Sequence, residues 1–391
     1  MKVIYIHQYF HTPEEGGAIR SWYIASALAW AGHEVDLITA HNEFPETREI
    51  NGFRVHYLSV RYENKFGTLR RLMAFLLFTT KALKYIRKLG RFDKAYITST
   101  PLTVGWIALS LNKRYGIPYI FEVRDLWPEV LIQAKAIRTV LFKRITEKFE
   151  HNIYQKASGL VALSPGIADY IRSSVPGNPV HLCPNLSDCD FFRMEQPGDE
   201  GLMKQLNLEN KFIIGYFGAI GRLNALEFLI DAAEYFQHEK AGISFLVIGN
   251  GSRKVRLMNM TREKQLKNVI FIDHLNKFTL RKYLSLIDAA YISFAPLTIL
   301  QTNSPNKFYD ALASGKMIIL NFEGWLKDLT EKYECGFYAD PRNPAEFYDK
   351  LQAFIHDRGK LAQFQHNARR LAEDQFERGR LTRDLVRFIE N

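Results

Sequence analysis

The sequence predicts an α/β protein of two Rossmann-like domains whose parallel sheets face each other across a cleft. Three observations predict it. The chain has 391 residues, more than one hydrophobic core ordinarily serves. Short apolar runs alternate with helix-length amphipathic stretches from end to end, the rhythm of parallel sheets covered on both faces. That rhythm lapses once, near Pro184, and then resumes.

The first series opens with KVIYI, a helix over 19–31, HEVDLITA and FRVHYL. KAYITS, PYIFEV and GLVALS continue it, with helices between. The stretch PNLSDCDFFRMEQPGDEG is rich in turn residues and has little periodicity, so the linker falls there. A first domain over 1–190 and a second over 198–374 follow. The second series reads FIIGYFG, SFLVIGNG, NVIFID, AAYISFAP and KMIIL. The tail, 344–391, reads as two or three charged amphipathic helices. Open α/β sheets bind ligands at the carboxyl ends of their strands, so the loops there are the places to search.

Composition narrows the partners. Hydrophobic residues at 47% and charged residues at 24% are ordinary for a soluble globular chain. A net charge of +10 favours anionic partners. Cys183, Cys189 and Cys335 form no CxxC pair, which speaks against a zinc site or a disulfide framework and fits a reducing, cytoplasmic compartment. MKVIYIHQYF reads as a strand, because its apolar run is too short for a signal peptide. No run long enough to span a membrane appears.

Basic residues gather over 61–94: Arg61, Lys65, Arg70, Arg71, Lys81, Lys84, Arg87, Lys88, Arg91 and Lys94, with LMAFLLF among them. Such a segment suits an anionic membrane surface. A helix packing its apolar face on the sheet explains the same pattern. No module or aromatic–basic pattern points to nucleic acid.

Six places could carry chemistry. Gly16 and Gly17 open a helix after the first strand, where the backbone can approach a ligand and present N–H groups. VIGNGS places Gly249 and Gly251 after a strand, but Lys254 breaks the G-x-G-x-x-G pattern, so it reads as a turn and not a dinucleotide site. GYFGAIGRLNALEFLIDAA sets Arg222 beside a glycine loop, where its planar fork would match phosphate oxygens. YIFEVRDLWPEV gathers Glu122, Arg124 and Asp125 at a strand end, with Trp127 offering a flat apolar face. His7 and His11 flank the first loop, where local hydrogen bonding is their ordinary use.

The sixth is TNSPNKFYDALASGK. Ser304 suits an N-cap and Pro305 the first helical turn. Asn306, Lys307 and the helix-end amides then form an anion site. Asp310 stands one turn on, where a carboxylate suits ribose hydroxyls better than phosphates. A plain Lys–Asp pair on a capped helix is the alternative.

Taken together, GGAIRSWYIASALAWAGHEVDLIT, FEVRDLWPE, LSPGIADYI, PNLSDCDFF, GYFGAIGRLNALEFLIDAA and SPNKFYDALASGK resemble a known family. The chain resembles the retaining GT-B glycosyltransferases of family four, in particular the bacterial fucosamine transferases and colanic acid glycosyltransferases. The resemblance spans nearly the whole chain. It implies a nucleotide-sugar donor, UDP-linked, held mostly by the second domain, and an acceptor on the first. It implies hexosyl or N-acetylhexosaminyl transfer with retention, no cofactor and no obligatory metal. Donor contacts would fall to Gly16, Gly17, Arg222, Asn306, Lys307 and Asp310, and acceptor-side contacts to Arg124 and Trp127. Asp125, then Glu122, would orient or deprotonate the acceptor hydroxyl. The last helix, about 375–391, would cross back to the first domain.

The acceptor implied is a lipid-linked saccharide at the inner face of the cytoplasmic membrane, in bacterial surface polysaccharide synthesis. A nucleotide-sugar epimerase or hydrolase of the same fold, or a non-catalytic membrane-docked scaffold, shares these motifs. Asp188 and Asp190 look like a metal-binding Asp-x-Asp, but they lie in the linker and are not read as one. Two departures stand out. Ala219 and Asn224 occupy positions where many members carry arginine and lysine, and Thr302 replaces the first of two spaced glutamates.

Overall fold

The computed structural model describes residues 1–63, 66–133, 139–194, 198–240 and 242–391. Lys65, one of the basic residues counted above, lies outside them.

The first sheet contains β1 (Lys2–Ile6), β2 (Glu34–His41), β3 (Glu46–Ile50), β4 (Phe53–Ser59), β5 (Lys94–Thr98), β6 (Tyr119–Val123), β7 (Gly159–Ala162) and β8 (Val180–Leu182). Their spatial order is β3-β4-β2-β1-β5-β6-β7-β8. Between them run α1 (Arg20–Trp30), α2 (Thr68–Ile86), α3 (Gly105–Tyr115), α4 (Glu129–Gln133), α5 (Val140–Lys156) and α6 (Pro165–Ser174). After α7 (Glu200–Gln205) comes the second sheet. It holds β9 (Phe212–Phe217), β10 (Ile243–Ile248), β11 (Val269–Ile272), β12 (Ala289–Ile292), β13 (Met317–Leu320) and β14 (Gly336–Tyr338), in the order β11-β10-β9-β12-β13-β14. Its helices are α8 (Glu227–His238), α9 (Lys254–Glu263), α10 (Lys277–Leu286), α11 (Asn306–Ala313) and α12 (Trp325–Lys332). The tail forms α13 (Pro344–Ile355), α14 (Arg358–Gln375) and α15 (Arg378–Glu390).

The inner strands are mostly apolar because helices cover both faces: every residue of β6, β9, β10, β12 and β13 is buried, the polar Glu122 and Ser244 included. One edge departs from the expected parallel pattern. β3 pairs antiparallel with β4 through a hairpin whose turn residues, Asn51 and Gly52, are both left-handed (φ 49° and 82°). The β3 sequence, ETREI, is polar and largely exposed, so apolar rhythm does not reveal it.

Two segments pass between the sheets side by side. Ser187 N donates to Phe376 O at 2.8 Å, and Arg378 N donates to Ser187 O at 3.1 Å. α15 then lies against α1, with Leu385, Val386 and Ile389 sharing a core with Ile24, Ala25 and Leu28. Asp188 and Asp190 are spent at this crossing. Both pair with Arg378, and Asp188 also accepts from the Tyr23 hydroxyl at 2.7 Å.

Candidate active site

The carboxyl ends of β1 and β6 face those of β9, β10, β11 and β12 across a cleft of about 530 Å³. The first domain contributes Gly17, Ala18, Arg124, Asp125 and Leu163. The second contributes Gly218, Ala219, Asn224, Gly249, His274, Lys277, Phe294, residues 303–307 and Asp310, among others.

The start of α11 is the centre of the far wall. The residue before it is Pro305, with extended backbone, and no side chain caps the helix. This corrects the expectation that Ser304 is the cap. The Ser304 hydroxyl instead meets the Tyr309 hydroxyl at 2.6 Å, and its carbonyl accepts from Asn185 Nδ2. Within the first turn Phe308 N donates to Pro305 O at 3.0 Å, and the Asn306 and Lys307 amides stand at the positive end of the helix, beside the cleft.

Lys307 lies half-buried beside them. Its Nζ donates to the Tyr216 hydroxyl at 2.8 Å and sits 4.1 Å from the centre of that ring. Gly218 leaves room for the stem, since a Cβ there would lie 3.4 Å from Lys307 Cε. No carboxylate pairs with Lys307 among the described residues, and burial pulls its pKa down to about 7. An ammonium group in such a place is stabilised by any anion that enters.

One turn along, Asp310 is buried and takes a hydrogen bond on Oδ2 from Lys277 Nζ. Burial raises its pKa, and Lys277 opposes that rise. Lys277 begins α10, whose cap is Asn276, and both follow the end of β11. Sequence reading missed Lys277. The available signal was an Asn–Lys pair opening a helix at another strand's carboxyl end.

The near wall brings Asp125 and Arg124 to the cleft, two residues and one residue past β6. Burial raises the Asp125 pKa and Arg124 counters it. Gly16 and Gly17 are both left-handed (φ 77° and 84°), and they divide the work. Gly17 lines the cleft. Gly16 does not: it is pressed against the other domain, where a Cβ would come 3.0 Å from both Asn276 Cα and Leu275 O.

Three predicted residues sit elsewhere. Glu122 is fully buried inside β6, facing away from the cleft. Arg20 Nε donates to it at 2.8 Å, and the Tyr96 and Thr98 hydroxyls donate at 2.9 Å each. Burial alone would raise its pKa, but Arg20 and Arg124 hold it below the usual carboxylate range. It is the counterion of Arg20 and cannot touch an acceptor. Trp127 packs on the hydrophobic core beside the cleft instead of lining it. Arg222 is exposed and points outside the cleft lining, while Ala219 and Asn224 of the same loop face in.

His7 and His11, of the first domain, are outside too. His7 is buried on Ser21 Oγ at 2.7 Å, and His11 pairs with Glu15 at 3.6 Å. Thr302, at the position of the missing glutamate, donates to Ile299 O at 2.7 Å. Its methyl group packs on Gly166 of α6, 2.8 Å from where a Cβ would be. It serves the contact between the domains.

Two parallel-sheet α/β domains with a charged cleft between their strand ends are the build of a GT-B protein. Residues 15–185 match the family described as glycosyl transferase 4-like domain, and residues 199–371 match glycosyl transferases group 1. The chain belongs to the GT-B glycosyltransferases of family four. It is 24% identical to the putative colanic acid biosynthesis glycosyl transferase WcaI of Escherichia coli K12, over 76% of this chain and 77% of that one. Its fold is similar to that of sucrose-phosphate synthase from Thermosynechococcus elongatus, with a TM-score of 0.78 at 16% identity over 100% of this chain and 98% of that one. It is also similar to Anabaena HepE in complex with UDP-glucose, with a TM-score of 0.73 at 16% identity over 100% and 99%.

Proposed function

We propose that the chain is a retaining glycosyltransferase of bacterial surface polysaccharide assembly. It moves a hexosyl or N-acetylhexosaminyl group from a UDP-linked donor to a saccharide hydroxyl on a lipid carrier. The observation that carries this reading is Lys307, half-buried without a carboxylate partner among the described residues, at an uncapped helix start. The donor diphosphate takes the place of the missing counter-charge. As the glycosidic bond to phosphate breaks, negative charge builds on the leaving diphosphate, and the ammonium and the helix end stabilise it without a metal ion. Gly17 approaches the phosphates from the other domain, Asn306 adds a polar contact, and Asp310 takes the ribose. Asp125, its pKa raised by burial, receives the acceptor's proton, with Arg124 beside it.

Surface polysaccharide is the first context to test because the relative WcaI is named for colanic acid biosynthesis. UDP is the first nucleotide to test because the fold neighbour HepE binds UDP-glucose. A thermal-shift panel of nucleotide sugars, followed by transfer to a lipid-linked acceptor, decides the matter. Stabilisation by UDP-sugars, lost in Lys307→Ala, is expected, because a ligand stabilises only the state it binds. Free sugar or epimerised donor released without acceptor would point to a hydrolase or epimerase. No stabilisation by any nucleotide sugar would leave the scaffold.

The lipid acceptor calls for a membrane surface. In α2, Ala74, Phe78, Ala82 and Ile86 are buried, while Leu69, Leu72, Met73, Leu76 and Leu77 are exposed. Val140, Leu141, Phe142 and Ile145 of α5 are exposed as well. Both apolar strips occupy the first turns of helices that follow parallel strands, so they lie toward the edge of the sheet that borders the cleft. Arg70, Lys84, Arg87, Lys88 and Arg91 are exposed along and after α2. No described helix is long and apolar enough to cross a membrane. Flotation with anionic vesicles, weakened by salt and by Leu72→Glu with Leu76→Glu, is the expected result.

A further inference from the structure

A second cavity, of about 490 Å³, lies outside the cleft and shares no lining residue with it. It is a trough between α1 and α15, which run in the same direction along it. Arg378, at the start of α15, sits over the Tyr23 ring, 5.1 Å from its centre, and Glu390, at the other end, meets His33 Nε2 at 2.9 Å. The trough runs from Tyr23 to Ala31 on one side and from Arg378 to Glu390 on the other, about 12 and 18 Å of helix. That shape suits a linear ligand of a few linked units better than a compact one. Small residues make the room: Ala27, Ala31 and Gly379 line it where longer side chains would fill it.

Among the described residues its lining holds three guanidiniums and one carboxylate. Two of these four charges are spent: Arg378 on Asp188 and Asp190, and Glu390 on His33. Arg383 and Arg387 are left, and both are exposed. Arg387 keeps a loose pair with Asp384 at 3.7 Å, and Arg383 has no ion pair among the described residues. The two stand one turn apart on one face of α15, about 5–6 Å from each other at Cβ. Each planar fork can take a carboxylate through two parallel hydrogen bonds. On the facing helix Trp30 is 68% exposed, while Ile24 and Leu28 of the same helix are buried. An exposed indole beside a floor of small residues offers a flat face and no deep apolar hole. That suits a ring better than the aliphatic anchors of a docked helix.

We propose that this trough binds a short run of an acidic saccharide, with carboxylates on Arg383 and Arg387 and a sugar ring on Trp30. The proposal does not depend on the donor-site reading, because trough and cleft have no residue in common. A chain long enough to reach the cleft as well is tethered beside it, which raises its effective concentration there without any new contact at the cleft.

The test is calorimetric titration of the full chain with tri(galacturonic acid), with neutral maltotriose and with hexaglutamate. The acidic saccharide is expected to bind, more weakly as salt is added. Maltotriose and hexaglutamate should bind about tenfold more weakly or worse, the scale of losing a hydrogen bond to a charged group. Trp30→Ala, and Arg383→Gln together with Arg387→Gln, should each weaken the acidic saccharide by a similar factor. All three side chains are exposed, so these variants should keep the wild-type midpoint in urea. Lys307→Met should bind the acidic saccharide as the wild type does. No binding of tri(galacturonic acid), or binding unchanged in the trough variants, overturns the proposal. Binding lost in Lys307→Met would place the saccharide in the cleft and overturns it as well. Equal binding of hexaglutamate would leave only a surface for polyanions, and equal binding of maltotriose would mean that the arginines read no charge; either result sinks the assignment.

Discussion

Arg20 and Lys307 are both buried or half-buried cations near strand carboxyl ends, one in each domain, and their surroundings are opposite. Arg20 is fully buried with every side of its guanidinium engaged. Nε donates to Glu122, Nη1 to Pro184 O at 2.5 Å and Nη2 to Cys183 O at 3.0 Å. Lys307 has a phenol oxygen and two aromatic rings and no carboxylate among the described residues. A satisfied buried charge fastens the fold: this one ties α1, β6 and the exit of the first domain together. An unsatisfied one at a cleft is held ready for an anion from outside. The difference separates the structural carboxylate Glu122 from the candidate site residues around α11, although both stretches look equally charged in sequence.

Arg20→Met tests the comparison most severely. Leaving Glu122 buried without its partner should cost about 3–5 kcal/mol, read as a lowered midpoint in urea. If the midpoint barely moves, Arg20 is not the fastening it resembles. Lys307→Met should do the reverse. Its midpoint should stay near wild type, because no ion pair is broken, while kcat/KM falls about 100-fold or more, the scale of losing a group that stabilises a leaving charge.

Glu150 offers a case between the two. It is buried on α5, and its hydrogen-bond partners among the described residues are neutral, the Tyr154 and Tyr170 hydroxyls, each at 2.8 Å. Burial raises its pKa from 4.5 to about 7. An acid raised in the fold contributes fully below pH 4.5, and its contribution is lost as the pH rises toward 7. Glu150→Gln should therefore match wild type near pH 4.5 and exceed it at pH 8, by on the order of 3 kcal/mol. A constant offset across that range would mean that the carboxyl does not titrate there.

The smallest effect is on the donor's own pH dependence. Lys307 is pulled down to about 7 in the empty cleft, and a bound diphosphate raises it again. Affinity for a nucleotide sugar, whose phosphates stay ionised, should fall several-fold between pH 7 and pH 8.5, a window set by Lys307 losing its proton. Lys307→Met should flatten that fall. The same slope in both proteins would assign it to another group.

Sequence alone determined the alternation of strands and helices, the break after the first sheet, the tail helices and the α11 stretch with Lys307 and Asp310. These are local: apolar runs, turn residues and spacing within one helix fix them. It also placed Asp125 and Arg124 at a strand end, where a parallel sheet must expose them. It could not separate Glu122 from Asp125, because that choice depends on Arg20, 102 residues away. Nor could it find Lys277, whose partner Asp310 lies 33 residues on, or tell that Arg222 turns outward while Ala219 and Asn224 face in. The β3 hairpin was legible only through its Asn51–Gly52 turn. Periodicity says which face of an element a residue occupies. Only the order of strands and the path of loops decide what that face meets, and in this protein the meeting decides which charges are spent on the fold and which are left for a ligand.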